Sequence, residues 1–208
     1  MATRQSAGTR RAADRPSLRE EQRRFTRQRL IDGALEVFAH RGYTASTIDE
    51  IADAAGTSRA TFYSYFPSKL DLLRAMNEEF RPEVTAYYDA LDEVLGEGTR
   101  EALRDWIDRA IGWFEANRTF AHVLQEALYA ESGAVDDLEE VRYIPDRMTA
   151  YLAGRAPGRL EAARFRIVLL VHQLQASVRV FETGQFDLSR EEFVEEMTDI
   201  WQLGLDLR

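Results

Sequence analysis

The chain has 208 residues, 45% hydrophobic and 30% charged, with a formal net charge of −9, which is enough apolar material for one ordinary domain or for a small domain beside a larger one. It has no cysteine, which excludes a disulfide framework, a thiolate zinc site and redox sensing by thiol chemistry. No apolar run approaches the roughly 18 residues of a membrane span, since even 167–174 is interrupted by His172 and Gln173, and no signal-peptide pattern follows Met1, so a membrane role is excluded and a reducing cytoplasm is the expected location.

The first thirty residues carry nine arginines (Arg4, Arg10, Arg11, Arg15, Arg19, Arg23, Arg24, Arg27 and Arg29) against Asp14, Glu20 and Glu21. Residues 1–17 lack apolar periodicity and are rich in Arg, Ala, Ser, Thr and Gly, the composition of an arm that is disordered when free. Such an arm either follows a phosphate backbone or minor groove, or merely keeps the chain in solution, and no spacing code separates the two. Residues 1–80 hold 13 basic and 11 acidic side chains, a balance of +2, while 81–208 hold 14 and 25, a balance of −11. The acid lies in the C-terminal part, so a basic N-terminal surface is compatible with an acidic whole.

A helix is expected over 18–41, with Leu30, Ile31, Ala34, Leu35 and Phe38 on one stripe. Thr47 and Glu50 then stand at the spacing of a capping box, and Ile48, Ile51, Ala52 and Ala55 continue at helical spacing over 47–54. Gly56 can take the left-handed conformation that ends this helix, which places a turn at Gly56 and Thr57. Ser58 caps a second short helix over 58–65, which Pro67 must end or closely follow. Phe62 and Phe66, four apart, fall on the core side and leave Arg59, Ala60, Thr61 and Tyr63 outward. Two short helices around a glycine turn form a helix-turn-helix, a device for reading DNA. The outward residue types suit a major groove: an arginine forks onto guanine, an alanine or threonine methyl touches the thymine methyl, and hydroxyls bond base edges or phosphate. Tyr65 and Lys69 suit phosphate.

The run from Gly56 to Lys69, G-T-S-R-A-T-F-Y-S-Y-F-P-S-K, resembles the signature of the tetracycline-repressor (TetR) family of bacterial transcriptional regulators. The likeness extends motif by motif from about Phe25 to Leu73; beyond it only length and helix pattern agree. The resemblance implies an all-α fold, with a three-helix helix-turn-helix DNA-binding domain over 18–67 and a helical effector-binding and dimerisation domain over 68–208. It implies operator contacts from Thr47, Thr57, Ser58, Arg59, Ala60, Thr61, Tyr63, Tyr65 and Lys69, with Ala60 standing where many members carry glycine or proline. It also implies repression by a homodimer on a palindromic operator, released when an effector shifts the balance between two arrangements of the DNA-binding heads.

From Ser68 onward the pattern stays helical, without alternating strand runs or Asn-Gly hairpin signals. Helices are expected over 68–95, 99–116, 118–132, 135–153, 159–184 and 190–206, separated at Gly96 and Gly98, Ser132-Gly133, Ala156-Pro157-Gly158 and Thr183-Gly184. Pro82 and Pro145 should kink or split theirs. Trp106, Trp113, Phe114, Tyr129 and Tyr143, with His122, Gln125, His172 and Gln175 among apolar neighbours, form the candidate lining of a mostly apolar ligand pocket. Each aromatic taken singly is more readily plain core. The helix over 159–184 is apolar on more than one face. Together with 190–206, which carries Phe193, Met197, Ile200, Trp201 and Leu205, it can build a four-helix bundle across a two-fold axis, hence a homodimer.

Enzymatic candidates are weak. Glu139 and Glu140 are adjacent and point apart, and His122 with Glu126, four apart, has no nucleophile nearby in sequence. Neither His122 nor His172 has a second ligand at metal spacing, and no phosphate-cradling glycine loop is present. The expectation is no enzyme, no metal and no cofactor. The competing reading is an all-helical DNA-binding accessory or protein-interaction module without a small-molecule effector, which a tightly packed second domain would favour.

Overall fold

A computed structural model describes residues 17–131 and 144–207. Residues 1–16 of the expected arm, the Ser132-Gly133 break, the start of the helix expected from 135 and Tyr143 lie outside the described residues. Among those described, every regular element is helical: α1 (Leu18–Ala45), α2 (Ile48–Ala54), α3 (Arg59–Tyr65), α4 (Lys69–Glu97), α5 (Arg100–Ala116), α6 (Arg118–Ala130), α7 (Ile144–Arg147), α8 (Thr149–Ala153), a 3-10 turn at Pro157–Arg159, α9 (Leu160–Glu182) and α10 (Arg190–Leu205). This is the all-α class.

Hydroxyl caps set most of the starts. Ser17, Thr47, Ser58, Ser68, Thr99 and Ser189 each accept a hydrogen bond from the backbone N–H three residues on, and each such cap is worth about 1 kcal/mol. At Ser17, Thr47 and Ser189 a glutamate at the third position returns the bond and completes a capping box.

Three boundaries differ from expectation. α1 continues past 41 by bending at Gly42, whose φ of 77° and ψ of 173° break the helical run. α4 is not split at Pro82 and runs unbroken for 29 residues. Pro82 and Glu78 are both exposed, so the carbonyl that proline leaves without a donor faces water, while Ala75, Met76, Tyr88 and Leu91 stay buried on either side of it. The helix expected over 135–153 appears as α7 and α8, broken at the buried, non-helical Met148, and Pro145 sits in the first turn of α7, where its missing N–H costs nothing.

Two hydrophobic cores follow. The first joins Leu30, Ile31, Ala34 and Phe38 of α1, Ile51 of α2, Phe62 and Phe66 around α3, Leu72, Leu73 and Met76 of α4, and Phe120, Val123 and Ala127 of α6. The second gathers the rest of α4 with α5, α7 to α10 and the intervening Met148, and includes Trp106 against Trp201 at 5.2 Å between ring centroids. The core beneath α2 and α3 thus takes in the start of α4 and one face of α6.

Candidate nucleic-acid interface and its link to a cavity

Between α2 and α3 the chain turns in a Schellman motif. Gly56, at φ 61°, donates its N–H to the Asp53 carbonyl at 2.9 Å and Thr57 donates to Ala52 at 2.8 Å. Arg29 Nη2 donates to the Gly56 carbonyl at 3.3 Å and ties the turn to α1. α1 and α2 also meet closely: a Cβ on Gly33 would lie 2.8 Å from the Ala55 nitrogen.

α3 buries Phe62 completely and packs Phe66 below it, while Arg59, Ala60, Tyr63 and Ser64 are exposed and Thr61 and Tyr65 half-buried. Of the outward face expected from the spacing, Arg59, Ala60 and Tyr63 are exposed and Thr61 is not fully so. The Thr47 and Ser58 hydroxyls serve as caps: Thr47 Oγ1 donates to Glu50 Oε2 at 2.8 Å, and Ser58 Oγ lies 2.9 Å from Thr61 Oγ1. Arg59 Nη1 reaches both oxygens of Asp49 at 3.1 and 3.2 Å, its Nη2 donates to the Tyr63 hydroxyl at 3.4 Å, and the guanidinium lies over the Tyr63 ring at 5.6 Å. The bond to Tyr63 and then the Asp49 charge hold the guanidinium above its ordinary pKa. Tyr65 packs against the first core, with Arg23 5.9 Å from its ring centroid.

Lys69 is placed differently from the exposed phosphate contact that its position in the motif implies. Its half-buried ammonium donates to the carbonyls of Tyr43 and Ser46 and to Ser46 Oγ, and lies 4.3 Å from the Tyr43 ring centroid. Burial lowers its pKa against the pull of Glu131 and Glu126. The lysine therefore pins the segment that leads into α2.

That segment is also held from the other side. The bend at Gly42 releases the Tyr43 and Thr44 amides from the helical ladder, and both donate to the Glu126 carboxylate of α6, at 2.7 and 2.9 Å. The Tyr43 hydroxyl donates to Glu131 at 3.1 Å. Hydrogen bonding by Thr44 and Tyr43, with the Lys69 charge, outweighs burial and holds the Glu126 carboxyl below the usual range; burial and then the Glu131 charge push the Tyr43 phenol well up. Glu126 does not pair with His122, as their spacing suggested. His122 turns to Glu182 of α9, 3.1 Å away.

α6 presents another side to a cavity of about 340 Å³ bounded by α4, α5, α6, α7 and α9. Of the residues expected to line a pocket, Trp106, Trp113, Phe114, His122, Gln125, Tyr129, His172 and Gln175 do border this cavity, and Tyr143 lies outside the described residues. Sequence reasoning missed Tyr87 and Tyr88 on α4 and the charged Arg118, Arg179 and Glu182. The two tyrosines recur at helical spacing with the α4 core, a signal that was present. The junction made by Gly42, Tyr43 and Glu126 left no mark in local spacing, because its partners are more than eighty residues apart. Among the described residues no group of three or more His, Cys, Asp or Glu could hold a metal, and no helix is long and apolar enough to cross a membrane.

A family model described as bacterial regulatory proteins of the tetR family matches residues 30–76, the segment that builds α1 to the start of α4. That segment is a regulatory domain of the tetR type. Over 51 residues the chain is 49% identical to the HTH-type transcriptional regulator SrpR of Pseudomonas putida, covering 24% of each chain. Against the repressor KstR of Mycobacterium tuberculosis it is 27% identical over 135 residues, 64% of this chain and 60% of that one. These alignments thus span from about a quarter to three fifths of the curated relatives' length. The TetR fold carries further: the transcriptional regulator FadR from Bacillus subtilis, solved in complex with stearoyl-CoA, superposes with a TM-score of 0.60 at 19% identity, over 87% of this chain and 98% of that one.

Proposed function

We propose that this chain is a cytoplasmic DNA-binding transcriptional repressor of the TetR family, not an enzyme, that acts as a homodimer on a palindromic operator and is released by a small, largely apolar effector in the α4–α9 cavity. The observation that carries the reading is α3 itself, a helix of seven residues that buries Phe62 and leaves Arg59, Ala60 and Tyr63 in water. A recognition helix reads base edges with such a face, while Arg23, Arg27 and Arg29 along α1 supply charge for phosphates. Dimerisation is supported by an apolar stripe on α9, where Phe165, Leu169 and Val180 are exposed, continued by Ile200 and Leu203 of α10.

The release mechanism rests on α6. One side of that helix borders the cavity through His122, Gln125 and Tyr129, and Glu126 grips the end of α1. A ligand that shifts α6 moves the Tyr43–Thr44 amides with it, and with them the entry to α2. That differential contact lets an effector favour one arrangement over another. The bound stearoyl-CoA of FadR is consistent with a long apolar group entering this fold, and the aromatic lining here suits one.

The test is selection of genomic DNA fragments by the purified protein, followed by sequencing and a salt titration on the enriched site. A single palindromic motif lost on Arg59→Ala is the expected result. Enrichment of no sequence by a folded dimer would overturn the reading.

A further inference from the structure

We propose that the ligand of the cavity is a protonated organic amine with an apolar body, its N–H groups received by Glu182. The inference rests on the effector-site reading above and adds the chemistry of the ligand's head.

Glu182 ends α9 with a side chain only 15% exposed, at the edge of the cavity. Its Oε2 is fully buried and has no hydrogen-bond donor among the described residues. His122 Nε2 stands 3.1 Å from that oxygen but out of hydrogen-bonding alignment, and Arg118 approaches the other oxygen only to 3.9 Å, with 63% of its own side chain in water. A buried carboxylate oxygen without a donor is costly to the empty protein, and a ligand N–H that reaches it removes that cost. The aromatic walls favour the same charge. The indole N–H groups of Trp106 and Trp113 are already given to the Tyr87 carbonyl and to Glu83, each at 2.9 Å, so neither ring has a donor left for a ligand anion. The faces of aromatic rings attract cations.

An anionic head is the rival, because Arg118 and Arg179 also border the cavity. Magnitudes decide against it. Arg118 and Arg179 are exposed, where water and salt screen a charge several-fold more than at a buried site, and the buried oxygen of Glu182 lacks a donor. Glu182 therefore selects a cation, and the two exposed arginines stay solvated.

Three probes with one tail separate the heads: octylamine, octanol and octanoate, titrated into the full chain and followed by its tryptophan fluorescence, to which Trp106 and Trp113 at the cavity contribute. Octylamine should bind about tenfold tighter than octanoate, the factor that one charge-assisted hydrogen bond is worth. Glu182→Gln should abolish that preference while octanol binds as before, which also shows that the variant is folded, and Glu182→Asp should retain part of it. Octanoate binding tighter than octylamine, with the advantage lost on Arg118→Ala or Arg179→Ala, overturns the amine reading and leaves the effector site standing. No binding by any of the three to a protein with unchanged thermal unfolding overturns the effector site, and the amine reading with it.

Discussion

At the scale of residues, the reading head carries its own brake. Arg59 can fork onto a guanine only after it leaves Asp49, with which it makes a two-pronged exposed pair. Exposed pairs contribute little to stability, about 0–1 kcal/mol, so the pair is easily exchanged for DNA, and its main effect is to hold the guanidinium near the N-terminus of α2 while no operator is present. Asp49→Ala removes both the competitor and a negative charge beside phosphate. It should tighten operator binding and steepen the dependence of affinity on salt by about one phosphate contact, as read from a salt titration; weaker binding would mean that Asp49 positions the arginine rather than restrains it. Lys69 teaches the opposite lesson. It lies inside the family motif, yet its ammonium serves the Tyr43 and Ser46 carbonyls. Lys69→Met leaves those acceptors without their donor and should lower the unfolding free energy by about 1–3 kcal/mol in urea denaturation; unchanged stability would return the lysine to a role at the DNA surface.

At the scale of elements, α1 and α6 share a core and the Tyr43–Glu131 bond, and the Glu126 carboxylate ties the bend of α1 to α6 as well. Glu126 has a depressed pKa in the folded protein, so its stabilisation is fully present above the ordinary carboxylate pKa of about 4.3 and is lost as pH falls through the lower folded value. Glu126→Gln keeps the shape of the side chain but can accept from only one of the two amides. It should flatten the acid limb of the stability curve and weaken the effect of ligand on DNA affinity, a coupling of about 1–3 kcal/mol in typical systems, while leaving ligand affinity in the isolated protein near its original value. Full coupling in the variant would assign the transmission to another contact. Gly33 tests the packing of the same head: Gly33→Ala presses a methyl against the backbone at Ala55 and should cost roughly 1–3 kcal/mol, checked by thermal unfolding. What the sequence disclosed at this scale follows from what is local. Caps such as Thr47, the turn at Gly56 and the stripe on α3 each depend on residues a few positions apart, and they could be read directly. The aromatic and polar lining of the cavity was legible as a set of residue types, since large aromatics mixed with histidine and glutamine suit neither plain core nor plain surface. The Glu126 clamp and the turn of His122 toward Glu182 depend on how α6 is laid against α1 and α9, which no short spacing encodes, and the continuity of α4 through Pro82 depends on that proline facing water.

At the scale of the whole molecule, charge and symmetry divide the work. The basic and acidic parts differ by thirteen units of charge, +2 over 1–80 against −11 over 81–208, so positive charge gathers at the N-terminal end of the chain and negative charge in the remainder. One head of this size reaches a single half-site. Two heads bind consecutive half-sites, about 34–36 Å apart or a multiple of that spacing, only if a symmetric contact fixes their separation. The stripe of Phe165, Leu169 and Val180 on α9 with Ile200 and Leu203 on α10 lies in the second half of the chain and belongs to neither core, so its exposure cannot be explained by packing within one copy. Leu169→Glu places a charge on that stripe without touching a core residue. The variant should keep its helical circular dichroism, sediment as a monomer at micromolar concentration, and bind the operator about 10²–10⁴-fold more weakly, the factor lost when the second head no longer acts within the same complex. Each isolated half-site should be bound about as well as before. A variant that stays dimeric with full operator affinity would move the two-fold axis to another face of the molecule.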